Sequence, residues 1–415
     1  MARWGSGLSP RGTGDSGSGR GCHRALIAAL SALLVATPGT SWALFSDNFE
    51  LWASENLTRD SNVYRLSDLV TGGFARSDRI STTAVGATLG VPVSQQRFDA
   101  AITGFAARYH DNKNLNYNGH TARASWNWWY DKNLSGLAAY TEQKNLASFS
   151  NIQAEDRDLV TTRQATFTGT WMATPRWRTE VGAVGVRQEH DNPSRAIQDI
   201  QAASGEAGLS YVTPSEDSLG AVVRVERGHA PHDTVLGGVL FDNAYLQRGA
   251  GVTGRWIVTG HSRFDGRVEW VRRTYNEFTQ RNYQGPTYHA SWTWTPTGKL
   301  TIVSVVQRAV GPTEDINTSF VLVKGGYVRP RWEVTDKLAL QGTAEYNTWS
   351  YRGDPLSLTD TTFTHHVRTF GVTLIYRPTP KIQLSAGATH EVRTSTLLLG
   401  GYDVNVVYVE GRVGF

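Results

Sequence analysis

The sequence has a single cysteine and no long apolar run. Cys22 lies close to the amino terminus, before the first apolar stretch of the chain. The rest of the chain can therefore form no disulfide, cysteine nucleophile or thiolate metal site. No segment reaches the ~18 consecutive apolar residues that mark a transmembrane helix, so the sequence predicts none.

The chain also has little excess of positive over negative charge. The formal net charge is only +4, and four of the basic residues, Arg3, Arg11, Arg20 and Arg24, belong to the amino-terminal segment. The remainder is almost neutral and lacks the basic excess of a nucleic-acid-binding protein, so no nucleic-acid partner is expected. The mean hydropathy of −0.36 suits a protein in which half of each strand faces water.

The amino-terminal segment has the pattern of an export signal. Its arginines precede an apolar stretch at residues 25–36, and Ser41-Trp42-Ala43 forms a small-x-small cleavage site. The sequence predicts a cleaved signal peptide at residues 1–43 and a single domain at residues 44–415. A retained membrane anchor is the alternative, but the apolar stretch is too short to span a bilayer.

An aromatic residue, a short polar turn and an apolar residue recur roughly every 40 residues. The clear copies begin at Tyr130, Trp171, Tyr211, Trp256, Trp294, Trp332 and Tyr376, and a weaker copy spans residues 90–98. Two runs with apolar–polar alternation separate successive copies. This pattern predicts hairpins with an aromatic residue at the same end of every strand, as in outer-membrane barrels.

A β-propeller has a similar repeat length and is the alternative fold. A propeller blade needs four short strands with three turns per repeat. Residues 176–190 and 118–132 contain no turn signal. Each run is therefore too long to be a blade strand. The runs match tilted membrane-spanning strands of ~9–11 residues with an overhang.

Counting the turns gives the topology. Eight short turns join sixteen strands, one strand near residues 49–57 precedes them, and residues 402–415 form the last. The sequence thus predicts an all-β fold: a transmembrane antiparallel up-and-down β-barrel of about 18 strands. Longer polar loops, the longest at residues 59–79, would lie outside a Gram-negative cell and both termini in the periplasm. In residues 300–308 and 321–329 both faces are apolar, so no face is assigned there.

The alternation also predicts which charged residues face the lumen. They are Asp99, Arg123, Arg178, Glu180, Arg224, Glu226, Arg255, Asp265, Arg267, Glu269, Arg273, Glu345, Glu391, Arg393, Glu410 and Arg412. Many form pairs of opposite charge two residues apart, which could contact a polar solute or neutralise one another in the wall. So many charges require a wet interior. Trp129 and Tyr408 face the same space and could stack on sugar rings or fill the wall.

Motifs of catalysis or cofactor binding are weak. Gly249-x-Gly251-x-x-Gly254 matches a dinucleotide fingerprint but lies within a strand and opens no helix. His229-x-x-His232-Asp233 has metal-like spacing but falls at the start of an outer loop. We expect no enzyme activity, no cofactor and no metal; a hydrolase built from serine and histidine of separate strands stays open.

Residues 57–68 carry a family resemblance, together with residues 76–80 and 96–98. The sharpest part is Asp60-Ser-Asn62-Val-Tyr64-Arg65-Leu66. The chain resembles the EpsL-type outer-membrane proteins of exopolysaccharide operons, within the broader group of β-barrel porins. The resemblance implies export of a polysaccharide across the outer membrane, and it assigns no catalytic residue.

Three functions are consistent with these observations. One is a conduit that exports an exopolysaccharide, the second is a general or solute-specific diffusion porin, and the third is a surface-binding barrel without transport. The expected partners are outer-membrane lipid, a polysaccharide chain, and separate periplasmic and inner-membrane proteins for export and synthesis. The loop at residues 59–79 is a possible gate, whose Asp60, Asn62, Tyr64, Arg65 and Asp68 would contact sugar or pack on the rim.

Overall fold

In a computed structural model, the chain forms a closed antiparallel β-barrel. The structure describes residues 48–415 except 71–72, 74, 151–156, 233, 237–238, 243, 278, 280–281, 312–319 and 353–362. The predicted signal peptide at residues 1–43, with cleavage after Ala43, lies outside the described residues and stays a prediction.

The described residues contain twenty strands, β1 to β20 in chain order. They are Phe49–Asp60, Asp78–Val93, Gln96–Tyr109, Tyr117–Trp129, Leu134–Leu146, Leu159–Thr174, Trp177–His190, Ile200–Val212, Ser218–His229, Thr234–Leu236, Val239–Phe241, Tyr245–Thr259, Ser262–Tyr275, Tyr283–Thr297, Leu300–Gly311, Phe320–Glu333, Leu338–Arg352, Phe363–Thr379, Ile382–Ser395 and Tyr402–Gly414. Short 3₁₀ turns occupy Lys113–Leu115 and Pro193–Gln198. Within the described part of the chain, no helix is long and apolar enough to cross a membrane.

Eighteen of these strands form one sheet, and β10 and β11 form a separate short hairpin. Each barrel strand pairs with the next along the chain, and β1 pairs with β20 from Trp52↔Gly414 to Asp60↔Val406. The pairing closes the sheet and removes both edges. The predicted up-and-down barrel and its strand number are confirmed, although the first strand runs to Asp60 rather than ending near Leu57.

The period-2 alternation of the strands separates an outer from an inner face. Val407 and Val409 on the outer face are 52% and 51% exposed. The register also assigns β15 and β16, where the sequence left the face open. Val306 lies opposite Gly326 and Arg308 opposite Lys324 on the outer face. These strands were ambiguous because apolar residues occupy both of their faces.

Aromatic residues form a girdle on the outer face at the short-turn end of the barrel. The rings of Trp256 and Phe264 stack at 6.2 Å, those of Phe264 and Trp292 at 5.5 Å, and those of Trp292 and Trp294 at 5.4 Å. Trp171, Trp332 and others continue the girdle on other strands and are exposed. Rings at this level suit the boundary between headgroup and hydrocarbon.

At the opposite, long-loop end, the outer face carries mostly cations. The strand residues of this outer basic belt are Arg59, Arg79, Arg108, Lys144, Arg163, Arg187, Arg227, Arg248, Arg272, Arg308, Lys324 and Arg368. The acidic residues that the strands place on the outer face, within the described chain, are Glu55, Glu142, Glu189 and Asp403. The two ends of the outer face therefore differ in chemistry: rings at one and cations at the other.

Candidate functional site

The inner face of the barrel is identified by a contact between strands that are not neighbours. Arg267 on β13 donates to Glu206 on β8 at 3.0 Å, although β9 and β12 lie between these strands. Side chains separated by two strands can meet only on the concave side of a barrel. Every charged residue that the sequence assigned to the lumen lies on this same face by register.

Two of the pairs that the sequence suggested are ion pairs in the structure. Arg178 and Glu180 approach to 3.4 Å, and Arg267 and Glu269 to 2.9 Å. Both pairs lie along one strand, where residues two apart share a face. Because Arg267 also contacts Glu206, its charge is neutralised by two carboxylates within the wall.

Other predicted pairs are replaced by contacts between strands. Glu226 faces Arg273 at 3.5 Å and accepts a hydrogen bond from the Tyr245 hydroxyl at 2.9 Å, rather than pairing with Arg224. Glu391 accepts a hydrogen bond from the Tyr402 hydroxyl at 2.7 Å. Cross-strand partners win here because opposite residues on neighbouring strands lie as close as residues two apart along one strand.

Arg412 shows the same preference for partners on other strands. Its guanidinium lies 4.1 Å from the centre of the Trp52 ring and 3.5 Å from Glu50 on β1. Neither partner was predicted from the sequence. The alternation of β1 places both residues on the inner face and could have indicated this. Their contact with Arg412 could not be predicted, because it depends on the register of β1 against β20.

The remaining predicted lumen residues divide into paired and unpaired groups. Asp265 binds Arg255 at 2.7 Å and Arg263 at 2.8 Å. Glu345 faces Arg329 at 3.4 Å, and Asp99 faces Arg97 at 2.9 Å. Arg123, Arg224 and Glu410 form no ion pair with any residue in the described part of the chain. Sequence reasoning missed Glu206, Arg263 and Arg329.

The two aromatic residues predicted for the lumen occupy different positions. Tyr408 crosses over Gly387, where a Cβ would lie 2.6 Å from the ring, and its hydroxyl lies 3.0 Å from the Thr373 hydroxyl. Its ring therefore fills the wall and needs the glycine beneath it. Trp129 lies at the short-turn end of β4 and is 43% exposed, so its ring is accessible.

Three extracellular loops pack together at the long-loop end of the barrel. Val63 and Tyr64 from residues 61–77, Leu115 from residues 110–116 and Phe149 from residues 147–158 form a buried apolar group, here called the mouth cluster. Tyr64 is 1% exposed, and its ring meets that of Phe149 edge-on at 5.0 Å. Apolar packing thus fixes the three loops to one another at the mouth.

The predicted gating segment builds its own turn. Asp60 accepts hydrogen bonds from the Asn62 backbone amide and the Arg65 guanidinium, both at 2.8 Å. The Asn62 side chain accepts from the Leu66 amide at 2.9 Å and donates to the Asp403 carbonyl at 3.1 Å. In this arrangement Asn62 is buried within the loop, while Arg65 is partly exposed and Asp68 is exposed. Solute contact by these residues stays a prediction.

One loop reaches across the mouth to a strand that is not its neighbour. Arg393 on β19 donates to the backbone carbonyl of Ser150, which lies in the loop between β5 and β6. Strands β1 to β4 and β20 separate β5 from β19 around the barrel. Arg393 also donates to the Gly400 carbonyl at 2.6 Å, lies 4.4 Å from the Tyr402 ring centre and is 3% exposed. The loop therefore covers part of the lumen.

A second polar group supports the base of this loop. His190 lies 3.0 Å from Asp199 through Nδ1 and 3.9 Å from Asp158 through Nε2. Burial raises the pKa of Asp158 above its usual range, opposed by the charge of His190. The metal-like motif contributes His232, 3.6 Å from Asp199. Among the described residues, no group of three or more potential ligands could hold a metal ion.

Comparison with known proteins gives a family match over the carboxy-terminal strands. The family model described as "Putative beta-barrel porin 2" matches residues 258–415. The search of curated proteins found no match. Solved structures that match the chain include OccK1 (OpdK) of Pseudomonas aeruginosa, with 12% identity, a TM-score of 0.48, and coverage of 89% of this chain and 100% of that one. OccK2 (OpdF) of the same organism, in complex with glucuronate, has 11% identity, a TM-score of 0.48, and coverage of 89% of this chain and 99% of that one. OccAB3 of Acinetobacter baumannii has 10% identity, a TM-score of 0.46, and coverage of 89% of this chain and 99% of that one.

The chain is a β-barrel of the Gram-negative outer membrane. The closed barrel, its girdle, its paired lumen charges and the family match over the carboxy-terminal strands agree on this point. The absence of enzyme activity stays a prediction, as do the polysaccharide and the export partners. The finer function depends on how the mouth and the lumen act together.

Proposed function

We propose that this barrel is a passive diffusion channel for small hydrophilic solutes. The observation that carries the proposal is the loop that crosses the mouth from β5 to β19 and is held by Arg393. Barrels of roughly 16–18 strands enclose an aqueous channel. A channel of this width, narrowed at one end by packed loops, passes small solutes and retards large ones.

The lumen charges suggest which solutes would pass. Carboxylates and guanidinium groups alternate along the wall and neutralise one another, as in Arg255–Asp265–Arg263 and Glu206–Arg267–Glu269. Paired charges still offer hydrogen-bond donors and acceptors but create little net field. This wall favours neutral or zwitterionic hydroxyl-rich solutes over strongly anionic ones, which would require an excess of cations.

Exopolysaccharide export is the second candidate, and the resemblance over residues 57–68 favours it. Within the described loop, however, Asp60, Asn62 and Tyr64 serve the fold of the loop and the mouth cluster. A polymer would therefore need the packed loops to separate. Export would also need separate periplasmic and inner-membrane partners to supply the chain and the energy.

Liposome swelling with sugars of increasing length tests the proposal. We expect rapid entry of monosaccharides and a steep fall for longer oligosaccharides. Replacing residues 61–77 by a short glycine–serine linker should extend the accessible length, because it removes Val63 and Tyr64 from the mouth cluster. Replacement of the periplasmic turn at residues 213–217 by the same linker is the control.

A deletion strain separates the two candidates. If the purified barrel admits no monosaccharide and the deletion strain loses extracellular polysaccharide, the diffusion proposal is wrong and export is supported. Normal secretion together with loss of sugar permeability supports the diffusion channel. Complementation with the linker variant then shows whether the loop takes part in either process.

A further inference from the structure

The outer basic belt contains cations that face each other across neighbouring strands. Arg59 on β1 lies directly opposite Arg79 on β2, and Arg248 on β12 lies opposite Arg272 on β13. Like charges at directly opposed positions destabilise a sheet. Within the described chain, these four residues form no ion pair with a carboxylate, so the fold itself does not relieve the repulsion.

A third pair of opposed cations lies on the same face, and a fourth pair is neutralised by carboxylates. Arg308 lies opposite Lys324, and the Nε atom of Arg308 is buried without a hydrogen-bond partner in the described residues. Arg163 and Arg187 are also opposite each other, but Glu142 and Glu189 lie between and beside them. The wall therefore supplies a counter-charge for one pair, whereas the described residues supply none for the others.

The Arg59–Arg79 pair borders a groove with an apolar floor. The groove has a volume of about 540 Å³ and lies on the outer wall where β20, β1, β2 and β3 meet. Arg59, Arg79 and Arg108 line its extracellular part, and Leu57, Val407 and Val409 line the part that extends toward the hydrocarbon. Leu57 is 54% exposed, so the floor is open to lipid.

We propose that this groove binds the phosphate-bearing glycolipid of the outer leaflet, with its phosphates on the arginines and an acyl chain along the floor. The position fits the headgroup layer, because the belt lies at the extracellular ends of the strands and the aromatic girdle at the other end. A guanidinium matches phosphate oxygens with paired hydrogen bonds. One anion between Arg59 and Arg79 converts their repulsion into two attractions.

Binding of defined lipids to the detergent-purified barrel tests the proposal. Native mass spectrometry would compare bisphosphorylated lipid A with its dephosphorylated form on the unaltered protein, and we expect retention of the phosphorylated form only. Arg59→Gln with Arg79→Gln should weaken that binding about 30-fold, from roughly fivefold per cation near an anionic headgroup. The matched control, Lys132→Gln with Lys381→Gln, removes the same charge from periplasmic turns and should leave the binding unchanged.

Three results would overturn the proposal. The first is equal binding of the phosphorylated and dephosphorylated lipids, which would reduce the groove to an apolar surface. The second is an equal loss in both double variants, which would indicate a nonspecific effect of net charge. The third is full displacement of the lipid by millimolar inorganic phosphate, which would make the arginines a free-phosphate site. The comparison of lipids on the unaltered barrel decides the matter even if a variant assembles poorly.

Discussion

Replacing Arg393 by alanine should release the loop that crosses the mouth. Arg393 holds the Ser150 carbonyl of that loop against the β19 wall and also binds the Gly400 carbonyl. The alanine variant removes the link to the loop but leaves the mouth cluster of Tyr64 and Phe149 intact. The loop should therefore detach from the far wall while it stays bound to the other two loops.

The size of the effect follows from the contact that is lost. A buried hydrogen bond from a charged donor contributes roughly 1.5–3 kcal/mol. Arg393 is 3% exposed, so solvent screening reduces this contribution little. The equilibrium between the attached and the detached loop should shift roughly 10- to 150-fold toward the detached form.

Single-channel recording in planar bilayers would measure this shift. We expect more frequent and longer high-conductance states in the Arg393→Ala barrel. Arg368→Ala, on the outer face of the neighbouring strand β18, is the control and should conduct like the unaltered protein. If both variants conduct identically, the loop does not control the lumen and the proposed narrowing of the mouth is wrong.

Three further predictions concern assembly, pH and processing. Ala386→Arg should obstruct insertion, since a cation on the lipid face costs ~2–4 kcal/mol near the midplane. Ser385→Arg, on the inner face, is the control and should insert. Equal yields of heat-modifiable barrel from the two variants would contradict the face assignment. Burial raises the pKa of Asp158, so its neutral form stabilises the fold at low pH and this stability is lost as the pH rises through that pKa. Asp158→Asn should therefore melt at a higher temperature than the parent at pH 7 but not below pH 3.8, and a pH-independent difference would refute this cause. Finally, intact mass should show a mature chain that begins at Leu44; retention of Cys22 would overturn the predicted signal cleavage.

Much of the fold could be predicted from local patterns. Alternation along each strand determines which side chains share a face, and the register places Val407 and Val409 on the outer face and Glu410 and Arg412 on the inner face. The recurring aromatic residues marked one end of the strands and therefore their number. Two strands, β15 and β16, escaped this reasoning because their apolar residues occupy both faces.

The sequence by itself determined the barrel, its even strand count and the inner or outer face of most residues, because alternation is a property of each strand alone. The tertiary structure decided which charges meet. Arg267 contacts Glu206 across two intervening strands, and Arg393 reaches a loop from the far side of the mouth. It also decided that Arg59 faces Arg79. These contacts depend on the register between strands and on the curvature of the closed sheet, which join residues far apart in the chain and leave no trace in a local pattern.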